Sequence, residues 1–484
     1  MSMIVVTFDR LPARLLATYG NEWMETPAFD QLAARSLVFE QHFVEIPGPA
    51  GPSHPWWTGA SEYFSSGTGD AIGQTGFSAV ETLVQAGVDC HLITERASGL
   101  PLDLFSAWEH IEAGDGMDLD HSETPFARLV QRGLEIVAAW HDDSQNALPA
   151  QKLLWLHSRG VPSPWLPPRV FADLYLNELE ADDEDEEDWH EHTGEPLPTQ
   201  AAEDNGDPSE PGREFDSSGI LDELATSPAL VHSLLSDAVS SETPETDSAD
   251  APDELERMIS CYIFAGYVSL LDHWLGRLVR GLDQVQADNP PNTATQPDSP
   301  GLMETYLIVT SAGGFPTMNR RAFSELSAET SDLCDELLQT PLLIHQIGNT
   351  DFGMRCRSLT GPQNLGPTLC ELAGLPAPNS VPSLLGPPDT AGTVTRRELL
   401  HLSPSGSVAL RTVDWLLVLP EASIVDCPSI EDNDELFDRA SLFALPGDMW
   451  QTNNVASRRR DVVAQLALSL QATLQTAGRI GPQK

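Results

Sequence analysis

Few side chains in this sequence have the type and spacing to do chemistry. Asp9 follows the apolar run "MIVVTF" (3–8). A carboxylate at the end of a buried strand can ligate a hard cation or pair with an arginine. Ser53 and His54 stand in "GPAGPSHP". A hydroxyl and an imidazole are the parts of a nucleophile and its base, but adjacent side chains on an extended segment point apart, so the two are not a dyad by themselves. The same stretch has the glycines of an anion cradle, yet it matches no phosphate-binding fingerprint and its prolines lack N–H donors. His157 ends "KLLWLH" and reads as a hydrogen-bonding core residue. "DWHEHTGE" (188–195) sets two His among acids, a tract that binds metal adventitiously. "YLIVT" runs into "SAGGFP", a strand-to-turn edge of the kind that holds ligands in α/β proteins. Here that edge carries Ala312 and Gly313 and no acid, His, Cys or Lys.

The elements that must position these residues follow from hydrophobic period. "MIVVTF" (3–8), "CHLIT" (90–94), "KLLWLH" (152–157), "TYLIVTS" (305–311) and "PLLIHQI" (341–347) are short apolar runs and predict buried strands. Segments 77–87, 125–140, 255–285 and 367–375 have helical spacing. So does 26–39, with Thr26 as cap and Pro27 at the first helical position. Strands alternating with helices predict an α/β fold whose central sheet is covered by helices on both faces. The last third has a different pattern. There, 407–420 reads as a hairpin pair and 456–475 as a terminal helix, which predicts a small C-terminal α+β subdomain.

Composition limits the partners. The chain has 484 residues and a formal net charge of -47. Phosphate binding needs clustered Lys and Arg, so nucleic acid is excluded as a partner, as is docking on anionic lipid. No apolar run spans a bilayer and "MSMIVVTFDR" does not read as a signal peptide, so a cytoplasmic location is expected. The six Cys are scattered without a CxxC pair and read as reduced structural thiols. Residues 178–256 carry 27 acids against one Arg. Such a segment is too poor in apolar groups to fold alone, and it is expected to be a disordered insertion able to recruit a basic protein partner. The expected organisation is a core in two parts, 1–177 and 257–400, interrupted by the insertion 178–256 and followed by the subdomain 401–484.

The order of motifs resembles the sulfatase family of the alkaline-phosphatase-like superfamily. "IVVTFDR", then "LATYGNEWMETPAFDQLAARSLVFEQHF", is similar to that family's opening strand, Asp-Asp pair, "YG" and "TPNLDRLAAEGVRF". "PSHPWWTG" resembles the tail of its nucleophile motif, and "LLWLHSRGVPSPWLPP" its "LHxxDPHxPYxPP" segment. "YVSLLDHWLGRLVRGLD", "YLIVTSAGG", "TPLLIHQIG", "GPTLCELAGLP" and "SLFALPGDMWQTNNVA" follow in family order, from Ile4 to Ala456 with the acidic insertion as the main break. Each piece is weak alone; the ordered set is specific.

What the resemblance implies for chemistry is mostly missing. The family is a metal-assisted esterase that uses Ca²⁺ and a formylglycine made from Cys or Ser. Asp9 matches the first acid of the metal-binding pair, a vestigial ligand, but Arg10 follows it and is expected to pair with it in place of the cation. The nucleophile position falls on Pro49 or Ala50, and the motif Arg on Ser53 or His54. The Asp and His of "DPH" fall on Gly160 and Pro162, and those of "TSDHG" on Ala312 and Gly313. No Lys occurs in 325–340. No catalytic set is intact; Ser53, His54, Ala312 and Gly313 mark a vestigial pocket, and no cofactor is expected. Trp56 and Trp57 either fill space vacated by metal and substrate or line a pocket. Three functions stay open: a degenerate sulfatase-like binding, scaffolding or regulatory protein; a sulfuric- or phosphoric-ester hydrolase with substitute residues; and an interaction protein working through the acidic insertion.

Overall fold

The computed structural model describes residues 1–52, 54–59, 78–112, 114, 119–144, 151–161, 166–176, 254–288, 304–314, 333–349, 352–376, 381–385, 397–425, 427, 430 and 433–476. Ser53, the His tract at 188–195 and nearly all of the acidic insertion lie outside the described residues. The chain divides into two compact units: Met1–Ala113 with Thr124–Pro162 and Leu271–Lys484, and Gly114–Glu123 with Ser163–Leu270. In the smaller unit, a helical stretch at 169–176 lies on a long helix. A Cβ at Gly266 would stand 2.6 Å from the Phe171 carbonyl oxygen, and Tyr175 Oη bonds Ser269 Oγ at 2.7 Å.

The larger unit is built on an eight-stranded sheet. Its strands are β1 (Ser2–Arg10), β2 (Leu37–Phe39), β3 (Asp89–Thr94), β4 (Ala107–His110), β5 (Lys152–Gly160), β6 (Thr305–Ser311), β7 (Leu342–Gln346) and β8 (Met354–Cys356). They run in the order β4-β3-β5-β1-β6-β7-β2-β8. β4, β3, β5, β1 and β6 are mutually parallel, while β7 is antiparallel to both β6 and β2. The helices are α1 (Pro27–Ala33), α2 (Pro55–Thr58), α3 (Ala79–Gln85), α4 (Pro125–Ser144), α5 (Glu254–Asp288), α6 (Asp335–Leu338) and α7 (Leu365–Leu372).

Both faces of the sheet are covered, as continuous apolar strands require. On one face Met3, Val5, Cys90, Leu92, Leu153, Trp155 and Ile308 share a core with Trp56 and Trp57 of α2, Val80 and Leu83 of α3, and Leu365 and Leu369 of α7. On the other, the Phe8 ring meets Phe126 of α4 at 5.4 Å. Gly133 of α4 sits so close to the sheet that an added Cβ would be 3.1 Å from Leu156. A four-stranded antiparallel sheet follows, β9 (Leu399–Leu402), β10 (Ser407–Arg411), β11 (Trp415–Pro420) and β12 (Ser441–Ala444), in the order β12-β11-β10-β9. α8 (Glu421–Val425), α9 (Asp434–Arg439) and α10 (Arg460–Thr476) cover one of its faces through Ile424, Leu436, Val463, Leu466 and Leu470.

Two local expectations change. The stretch 26–39 is not one helix: α1 stops at Ala33, and Leu37–Phe39, fully packed, joins the sheet between β7 and β8. Thr26 does not cap α1 through its side chain; its Oγ1 accepts from Ala17 N–H at 3.0 Å. The carboxylate of Asp272, in α5, caps α1 instead, accepting from Ala28 and Phe29 N–H at 3.1 and 2.8 Å. An anion at a helix start satisfies free N–H groups and meets the positive end of the dipole.

Candidate functional site

Parallel β3, β5, β1 and β6 end at one edge. Their register sets Thr94 beside His157, His157 beside Thr7, and Thr7 beside Thr310. One row earlier on the same face stand Leu92, Trp155, Val5 and Ile308, all in the indole-rich core. The Thr94–His157–Thr7–Thr310 row is therefore the polar end of that core, and all four are at most 1% exposed. Asp9 and Ala312 come two residues further along the same face. Ala312 N–H donates to the Phe8 carbonyl at 2.8 Å, so the Asp9 and Ala312 ends are direct neighbours.

Asp9 is buried; its Oδ1 accepts from Ala50 N–H at 3.0 Å, lies 3.2 Å from His157 Nε2 and forms an ion pair with Arg96 Nη2 at 3.4 Å. The same Nη2 of Arg96 donates to the Ala50 carbonyl oxygen. Burial alone would raise the Asp9 carboxyl. The hydrogen bond and charge of His157, the charge of Arg96 and the Ala50 N–H outweigh it and hold Asp9 below the usual carboxylate range. The guanidinium bonded to Asp9 is thus that of Arg96, in the turn after β3, and not that of Arg10. Successive residues of a strand project to opposite faces, so Arg10 acts on Asp9 through its charge and not through an ion pair.

Thr94 Oγ1 lies 3.0 Å from His157 Nδ1, so a hydroxyl, an imidazole and a carboxylate stand in line. The hydroxyl is already engaged in a turn, accepting from Arg96 N–H at 3.0 Å and lying 3.1 Å from the Arg96 carbonyl. His157 thus faces Asp9 through Nε2 and Thr94 through Nδ1. Beside this chain, Glu95 Oε2 accepts from Arg159 N–H at 2.9 Å. Burial pushes the Glu95 carboxyl up to about 7; Arg159 opposes the rise and Asp9 adds to it.

His54 caps α2 and is 3% exposed, with its ring 4.3 Å from that of Trp56. Burial pushes its imidazole down to about 3 despite the charge of Asp9. Trp56 and Trp57 are fully buried and pack as core. The Trp57 ring lies 4.5 Å from Trp155 and 6.0 Å from Phe105, and Trp57 Nε1 donates to the Gly51 carbonyl at 3.0 Å. At the β6 edge, backbone occupies the positions where side chains would project. A Cβ on Gly313 would lie 3.0 Å from Gly48 N, and one on Gly314 would overlap the Glu336 carbonyl oxygen.

The structure therefore gathers Asp9, His157, His54, Ala312 and Gly313 at one edge. Thr94, Glu95 and Arg96 were missed in the sequence. Their signal was the polar "TER" at the end of a strand, the same signal that marked Asp9, but no motif singled it out.

Compared by sequence, the chain matches no protein-family model and no curated protein. Solved structures do match over nearly its whole length. BT4656, solved in complex with its substrate D-glucosamine-2-N,6-O-disulfate, superposes with a TM-score of 0.62 at 16% identity, covering 99% of this chain and 98% of that one. The phosphonate monoester hydrolase of Agrobacterium radiobacter gives 0.62 at 15%, covering 99% and 96%. BT1596, a 2-O GAG sulfatase, gives 0.61 at 13%, covering 99% and 92%. The chain has the sulfatase fold. At such identities the likeness speaks for the fold and leaves the chemistry to the residues.

Active members of the sulfatase family imply a Ca²⁺ ion, and the residues at this edge do not fit one. A hard dication takes six to eight oxygen ligands. Here Asp9 Oδ1 is engaged by Ala50 N–H, His157 Nε2 and the Arg96 guanidinium, Glu95 is held by a main-chain N–H, and that guanidinium bridges Asp9 to Ala50. Among the described residues, no three His, Cys, Asp or Glu side chains are grouped to hold a metal. No described helix is long and apolar enough to cross a membrane.

Proposed function

We propose that this chain is a catalytically degenerate protein of the sulfatase fold, with a binding, scaffolding or regulatory role. The observation that carries this reading is the state of Asp9: the carboxylate at the family's metal-ligand position is 4% exposed and satisfied by Ala50 N–H, His157 and Arg96. The position of the nucleophile falls on Pro49 or Ala50, neither of which offers a nucleophilic side chain, and Ala50 gives its N–H to Asp9. The nearby His54 is too weak a base at about 3, and too buried, to move a proton at neutral pH.

The second reading, a hydrolase with substitute residues, has one geometric point in its favour, the Thr94–His157–Asp9 chain. Against it, Thr94 is 0% exposed, and its hydroxyl is tied to the Arg96 main chain. The test is a panel of an aryl sulfate, an aryl phosphate and a phosphonate monoester, assayed with wild type, Ser53→Ala, His54→Ala and His157→Ala. The expected result is no turnover above background in any of the four. Turnover by the wild type that disappears in one of the variants would overturn the degenerate reading.

A further inference from the structure

We infer that Arg96 is a built-in cation that organises this edge in place of a metal ion. A cation at a strand edge of this kind must neutralise the carboxylate and tie the facing loop to the sheet. The Arg96 guanidinium does both with one nitrogen: Nη2 stands 3.4 Å from Asp9 Oδ1 and donates to the Ala50 carbonyl oxygen. The loop closes the ring from its own side, because Ala50 N–H donates to the same Oδ1 at 3.0 Å. Sheet, loop and the turn after β3 thus meet on one charge pair. The turn is pre-set for this, since Thr94 Oγ1 bonds the Arg96 main chain and so fixes where the side chain starts. An arginine is always charged and needs no loading from solution.

The packing around the pair agrees. Ala50 is 0% exposed, and the loop main chain is pressed against Gly313, where a Cβ would be 3.0 Å from Gly48 N. Trp57 Nε1 fastens Gly51 from the other side at 3.0 Å. A loop pinned in this way, with a guanidinium at its centre, places a fixed positive charge against Asp9 Oδ1, where a dication would be repelled. The inference stands apart from the question of activity, because a catalyst of this geometry would also need its Asp9 neutralised.

The test is thermal unfolding of the full-length chain, with Arg96→Met, Asp9→Asn and the double variant, each with and without 5 mM CaCl2 or 10 mM methylguanidinium. Removing one partner of a largely buried charge pair is expected to lower the Tm of Arg96→Met by about 4–8 °C. Methylguanidinium is expected to return part of that loss in Arg96→Met and to do nothing for wild type. The double variant is expected to be more stable than Arg96→Met, because no buried carboxylate is left without its guanidinium. Arg96→Lys, which keeps the charge without the planar fork, is expected to fold with a smaller loss and serves if Arg96→Met does not fold. A wild-type Tm that rises with CaCl2 and loses the response in Asp9→Asn would overturn the inference. So would an Arg96→Met chain as stable as wild type. Neither result depends on turnover, so this test and the activity panel fail independently.

Discussion

Replacing Trp57 by Ala tests whether the indoles of α2 are core or the wall of an open pocket. The ring is 0% exposed and packs on Trp155 at 4.5 Å, Trp56 at 5.8 Å and Phe105 at 6.0 Å. Burial of an indole removes about 200 Å² from water, and at about 25 cal/mol per Å² the transfer term is about 5 kcal/mol. The retained Cβ and partial collapse of the cavity reduce this, while loss of the Trp57 Nε1 bond adds less than about 1 kcal/mol, because the Gly51 carbonyl keeps the His54 N–H at 3.1 Å. The expected loss is therefore about 4–5 kcal/mol, with about 1–2 kcal/mol for Trp57→Phe, which keeps an aromatic ring at the site. Urea unfolding followed by near-UV circular dichroism, extrapolated to water, measures both. A loss below about 1 kcal/mol for Trp57→Ala would refute the core reading, since only a ring facing open space can be removed with so little effect.

Asp335→Asn should be comparably damaging, by about 3–5 kcal/mol, because Asp335 is the carboxylate between the buried guanidiniums of Arg14 and Arg411; urea unfolding gives the value, and a neutral result would mean other groups compensate both. Glu95→Gln should change the pH dependence of stability. With the folded carboxyl raised to about 7, the native state binds more protons than the unfolded chain between about pH 4.5 and 7, so wild type should lose stability as pH rises through that window. Tm at pH 5 and pH 8 should differ less in Glu95→Gln than in wild type; equal differences would place Glu95 in solvent. The His54 imidazole, pushed down to about 3 by burial, should show no NMR titration between pH 5 and 8; a midpoint inside that range would mean that water or a counter-charge reaches the ring.

By itself the sequence determined the elements and their order. Strands such as Thr305–Ser311 and helices such as Ala79–Gln85 are legible because apolar period and capping residues are local properties, and the order of motifs then limits the topology. The bareness of the Ala312–Gly313 edge was legible for the same reason, since a missing acid is a matter of composition. Short strands were not: Ala107–His110, Met354–Cys356, Leu399–Leu402 and Ser441–Ala444 hold too few residues to show a period, and sheet neighbours rather than propensity make them strands. Only the tertiary structure decided the pairings. Asp272 caps a helix 244 residues away, and Asp9 takes Arg96 rather than the adjacent Arg10. The physical reason is that a strand turns adjacent side chains to opposite faces, while the parallel register brings the ends of β1, β3 and β5 to one place. Which charge meets which is set by that register, and no local pattern in the chain records it.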